Sequence, residues 1–175
     1  MYIRNTKIAL TQNSVASTMA GTAMLTEKLM HMVCDDIDEA KFATRFGTTI
    51  NHPAFVLGHV AYYFGVCIEI LGGEVTFGEN ESAVYIDGID CIDDAAIYQN
   101  KEDSIAHYKA RLQEALDYVA SCDEKILSRS ADGTPFNGRL ETFGQIASFM
   151  LTVHPAFHIG QLSAWRRVAG MGSAR

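Results

Sequence analysis

The 175-residue chain is poor in several things that would decide its class at once, beginning with cysteine pairs. Cys34, Cys67, Cys91 and Cys122 are 33, 24 and 31 residues apart, so no CxxC exists to suggest a structural zinc or a redox dithiol. Buried, reduced thiols are the expectation. Lys and Arg are few, 14 against 21 acids, and do not gather into a stripe. A net charge of −7 argues against nucleic acid or an anionic membrane as partner. The pair Arg166-Arg167 instead suits the C-terminal end of a helix. The first twenty residues contain no continuous apolar run, which predicts neither a signal peptide nor a membrane span and hence a cytoplasmic protein. With three prolines and 48% hydrophobic residues, the composition is that of a folded globular chain, and its length fits one domain over residues 1–175.

What is present is helical periodicity. Val15, Met19, Ala23, Met30 and Val33 space an amphipathic helix from about Ile8 to Asp36. A second begins at Asn51-His52-Pro53 and stops at Gly72-Gly73, with Phe55, His59, Tyr63, Val66 and Ile70 along one face. A third, capped by Asn100, carries Ile105, Tyr108, Leu112, Ala115, Val119, Cys122 and Ile126 in steps of three and four. Thr142 with Gln145 is a capping-box signature for a fourth, reaching about Gly170. Its core side reads Met150, Val153, His154, Phe157, His158, Gln161, Trp165 and Val168. Four long helices in a chain of this size predict an all-α four-helix bundle.

Between helices two and three, residues 72–100 hold seven acids and no Lys or Arg. The acids miss the spacing of an EF-hand loop and are read as a solvated surface. Val84-Tyr85-Ile86 before Asp87-Gly88 reads as a short strand and turn. Connections this long tend to be lids, interfaces or disordered.

The chemistry lies in the histidines. His154 and His158, four apart, share a helical face and can share a metal. His59 stands on the core stripe of the second helix, and facing helices of a bundle are where such ligands meet. A buried imidazole without a partner costs on the order of 1–3 kcal/mol, so three of them on core faces demand an explanation. Three neutral imidazoles suit a borderline divalent ion such as Zn²⁺ or Ni²⁺ and leave a position open, the mark of a catalytic site. His52, seven residues before His59, is a weaker fourth candidate and more simply a helix-start residue. His31 and His107 read as flank residues, and Tyr62, Tyr63 and Trp165 as core or pocket wall. No Glu-x-x-His pair exists for a di-iron bundle.

His52–Val60 and His154–Leu162 match at five of nine positions, with a glycine before His59 and before Gln161, as though each glycine lets two backbones approach closely. Pro155 removes a backbone donor inside the fourth helix and predicts a kink near Leu151–His154. It also stands where a zincin protease keeps its catalytic Glu.

Leu57-Gly58-His59, and His154-x-x-x-His158-x-Gly160-Gln161-Leu162 followed by Arg166-Arg167, resemble the motifs of the DinB/YfiT-like family of metalloenzymes. Members often have Glu where this chain has Pro155. The resemblance implies a bundle of that type, to which this chain adds the long acidic insertion between helices two and three. It implies His59, His154 and His158 as ligands, Gln161 beside the site, and a homodimer. It further implies a metal-dependent transferase or isomerase using a low-molecular-weight thiol, or a hydrolase. A non-catalytic bundle binding a ligand or partner is the alternative, favoured by the lack of an acid or base beside the ligands.

Overall fold

A computed structural model describes residues 14–174, and among them the chain is all-α, with one isolated bridge, Ser130 to Thr142, as its only β pairing. The elements are α1 (Ser14–Cys34), α2 (Glu39–Phe42), α3 (Pro53–Ile70), α4 (Glu81–Tyr85), α5 (Lys101–Ser121), α6 (Glu124–Leu127), α7 (Phe143–Ser148) and α8 (His154–Val168). A 3-10 turn, Ala95–Ile97, precedes α5, and a π-helical turn, Phe149–Val153, joins α7 to α8. The expected start of the first helix at residues 8–13 lies outside the described residues.

α3 is the central rod. Pro53 supplies a fixed φ in its first turn, and the His52 ring accepts the Phe55 N–H at 3.2 Å as N-cap. Most of its 18 residues are buried, including Phe55, Phe64 and Ile68. Burying one such side chain contributes roughly 1.5–3 kcal/mol. The helix is long and apolar enough to cross a membrane, but 78% of it is buried inside the fold, as a core helix would be. It packs mainly on α5 and also on α8, and α1 packs on both α8 and α5, so the four long rods close a ring around the core. Tyr108, Leu112, Trp165 and Met30 fill that core at 2% exposure or less. Trp165 gives its indole N–H to the Thr44 carbonyl at 2.7 Å.

Several boundaries follow the sequence and several do not. Asn100 caps α5, accepting the Asp103 N–H at 2.9 Å, and Thr142 caps α7. The Gln145 side chain reaches back to the Glu141 N–H at 2.7 Å, completing the box one residue early. The third helix breaks at Cys122, whose backbone turns extended (ψ 136), before the single turn of α6 capped by Asp123. Val84–Ile86 is not a strand: Val84 and Tyr85 close the helical turn α4, and Ile86 leaves it extended. The four cysteines are free and buried. Arg166 serves the C-terminal end of α1 and not that of its own helix. It is 2% exposed, bonded in a bidentate pair to Asp36 and to the Val33 carbonyl, tying α8 to the end of α1.

Pro155 acts as expected on the helix, but by widening rather than sharp bending. Without its N–H, and with its ring against the preceding turn, an α-turn cannot run through it. The chain takes a π turn instead, in which the His154 N–H bonds to Phe149 O, five residues back. The extra residue shifts the core stripe to Leu151, Pro155, His158, Leu162 and Trp165, all buried. Val153, Phe157 and Val168, expected inside, are 57%, 64% and 40% exposed, as Val15 on α1 is at 55%.

Candidate metal centre

The widened turn brings the edge of α8 opposite the middle of α3. His154 Nε2 lies 3.2 Å from His59 Nε2 and 3.1 Å from His158 Nε2. His59 and His158 are buried and His154 half-buried, and one ligand atom from each lies within 4.8 Å of the others. The three histidines expected to act together are therefore together, and Pro155 has not displaced His154.

The outer nitrogens explain which atoms face inward. His59 Nδ1 donates to the Tyr85 carbonyl at 2.8 Å, and His158 Nδ1 to Gln161 Oε1 at 2.9 Å. A neutral imidazole donating at Nδ1 keeps a lone pair at Nε2. Two lone pairs thus point at His154, whose single ring proton can bridge only one of the two short contacts. A divalent ion satisfies all three. Nitrogens about 2.0–2.1 Å from a shared zinc stand roughly 3.3 Å apart in tetrahedral geometry and about 2.9 Å in octahedral. The observed contacts fall between those values. Oriented by a carbonyl or amide behind them, His59 and His158 have the outer support that ligand histidines use. His154 Nδ1 is enclosed and has no partner.

Electrostatics point the same way. Burial is the largest cause in each ring, with its neighbours adding to it, and holds His154 down at about 3 and His158 at about 4. Burial also lowers His59, against the opposing pull of Tyr85 O and Asp87. All three are neutral near pH 7, the state in which imidazole binds metal.

The site opens into a cavity of about 720 Å³, within the usual size for a small-molecule site. Phe55, Tyr62, Tyr63, Phe136, Phe149 and Phe157 form its aromatic wall. Tyr63 stands over the rings, 4.8 Å from His59 between centroids, and its hydroxyl accepts the Asp87 N–H at 3.0 Å.

Residues 72–100 are more than a solvated surface. The buried Glu81 carboxylate accepts the Gly78 N–H at 2.7 Å and meets His107 Nε2 at 2.9 Å, with Arg111 at 3.8 Å. His107 on α5 thus clamps α4, and α4 delivers the Tyr85 carbonyl to His59. The glycine before His59 makes room for a side chain and not, as expected, for a second backbone: a Cβ on Gly58 would lie 2.2 Å from Tyr85 Cζ. Gly160 meets nothing within 4 Å, so the sequence echo is not repeated in packing. His52 is no ligand. Its Nδ1 caps α3 and its Nε2 donates to Ile92 O at 3.0 Å, fastening the same segment.

Three groups escaped the sequence reading: the Tyr85 carbonyl, the Asp87 carboxylate on the cavity wall and Arg139 on the α6–α7 loop. Gly58, small at the point of approach, was the available signal for the first. No family model matches the chain, and no curated protein is significantly similar to it.

Proposed function

We propose that this chain is a metal-dependent enzyme of the DinB/YfiT-like type, a thiol-dependent transferase or isomerase or a hydrolase acting on a small molecule. The observation that carries the reading is the convergence of three Nε2 atoms, two of them stripped of their proton by partners behind the ring. The ring of four long helices is consistent with the layout that the family resemblance implies. His59, His154 and His158 would hold the ion, zinc or nickel by the borderline character of imidazole. When bound, such an ion lowers the pKa of a water or thiol beside it and polarises a substrate oxygen.

The chain's own residues supply the rest. Tyr85 O and Gln161 fix the two outer rings, and the aromatic wall excludes water from a bound substrate. Asp87 is the one carboxylate on the cavity wall and raises the proton affinity of His59 and His158. In this reading Asp87 would be the group that accepts the proton a thiol or water loses there. Asp87 supplies a carboxylate that the alternative, a non-catalytic bundle, would not need. We also propose a homodimer in the cytoplasm, where free buried thiols remain reduced.

Elemental analysis tests the reading. Untagged protein offered zinc or nickel should hold about one equivalent per chain, since three ligand histidines make one site. His59→Ala with His158→Ala should hold none. No uptake by the wild type, or activity surviving in the double variant with metal content unchanged, overturns it. Light scattering showing only monomer at micromolar concentration would refute the dimer.

A further inference from the structure

The cavity has two charged wall residues, Asp87 and Arg139, and no salt bridge joins them among the described residues. Asp87 comes from the segment after α4, and Arg139 from the loop between α6 and α7. That loop is built to hold its place. Ser130 and Thr142 pair at its base, the Ala131 N–H reaches Glu141 O at 2.9 Å, and the Phe143 N–H reaches Arg129 O at 3.0 Å. At the tip, Gly138 takes φ 76, and the Arg139 N–H bonds Phe136 O at 2.9 Å. The Phe136 ring leans on Phe149 at 5.7 Å, which seats the tip against the cavity wall. Arg139 is exposed and lines the cavity, and among the described residues its guanidinium is in no hydrogen bond or ion pair.

We propose that Arg139 is the anchor for the carboxylate of a small monoanionic substrate with an aromatic or branched apolar body. This rests on the metal-dependent reading above and names the substrate class for it. Three neutral histidines leave a divalent ion's charge uncompensated, and Asp87 offsets only one charge while Arg139 adds one, so the loaded cavity is cationic. An anion is drawn into it even though the chain as a whole is negative. A single planar guanidinium matches one carboxylate in a two-point fork. Phe136, Phe149, Phe157, Ile86 and Ile89 give the apolar body its surface, with Phe157, Ile86 and Ile89 exposed around the opening. Large apolar side chains exposed at the mouth of a cavity mark ligand contact.

Calorimetry with 3-phenylpropanoate and 3-phenylpropan-1-ol as probes tests this on zinc-loaded and chelator-treated protein. The acid should bind zinc-loaded wild type saturably at millimolar concentration or below, and the alcohol at least about tenfold more weakly, as expected for a charge-assisted contact. Arg139→Gln should lose about tenfold for the acid and nothing for the alcohol. Arg129→Gln, on the exposed loop base with its guanidinium over Phe143, should match wild type. The Arg139 side chain is exposed and its one hydrogen bond is made by the backbone, so replacing it with Gln should leave the fold intact. Equal affinity for acid and alcohol, no saturable binding of the acid, or acid binding unchanged in Arg139→Gln would overturn the assignment. If the protein takes up no metal, the metal reading fails by itself; acid binding that still depends on Arg139 in the metal-free protein then upholds the anchor.

Discussion

The three rings of the site are unequal residue by residue. His158 is held at Nδ1 by Gln161, His59 by a backbone carbonyl, and His154 by nothing. Gln161→Ala should therefore free the His158 ring and weaken metal binding about 10–100-fold, the usual effect of losing a ligand's outer partner. A competition titration against a chromophoric chelator reads this directly. The protonation of the site is also set residue by residue. His59, His154 and His158 have folded pKa values below the ordinary 6.5, so the unfolded chain binds more protons between the two values. Their contribution to stability is whole above about 6.5 and is lost as pH falls toward 4 and 3. Urea unfolding of metal-free protein should show stability falling across that window. His154→Phe, which carries no proton, should flatten the slope.

The elements explain which parts of the site the sequence could disclose. His154 and His158 were legible because four-residue spacing on a helix puts two rings on one face. His59 was legible because an imidazole on an otherwise apolar stripe needs a partner. Tyr63 followed from the stripe that carries His59, and Gln161 was placed beside the site by the family resemblance. Asp87, Arg139 and the Tyr85 carbonyl come from irregular segments that have no period, and their positions depend on packing between distant elements. The π turn was half legible: Pro155 forbids an α-turn, but whether the chain bends or widens depends on what α8 packs against. The short helix α4 was hidden because its residues are β-branched or aromatic in part and its turn is held by tertiary contacts of Glu81 rather than by propensity. Gly58→Ala tests the coupling of α3 to α4. The new methyl group would have to displace the buried Tyr85 ring, which packs against Phe55 and Tyr98. Overpacking of this kind costs about 1–3 kcal/mol. Denaturant unfolding should show that loss, and metal affinity should fall with it because Tyr85 O moves off His59. Gly160→Ala, which meets open space, should do neither.

For the whole molecule, an ion held by the three histidines would be a bolt between two halves of the helix ring. His59 belongs to α3, and His154 and His158 to α8, so an ion bound to all three stabilises the folded chain over the unfolded one by mass action. At a hundredfold excess over its dissociation constant the gain is about 2.7 kcal/mol. The melting temperature of wild-type protein should rise with added zinc, and that of His59→Ala should not. The most direct measurement is anomalous scattering from crystals grown with zinc, recorded above and below the zinc edge. A single strong peak bonded to Nε2 of His59, His154 and His158 is the predicted result. No peak among the three rings, or one at another place on the chain while they stay bare, would contradict it.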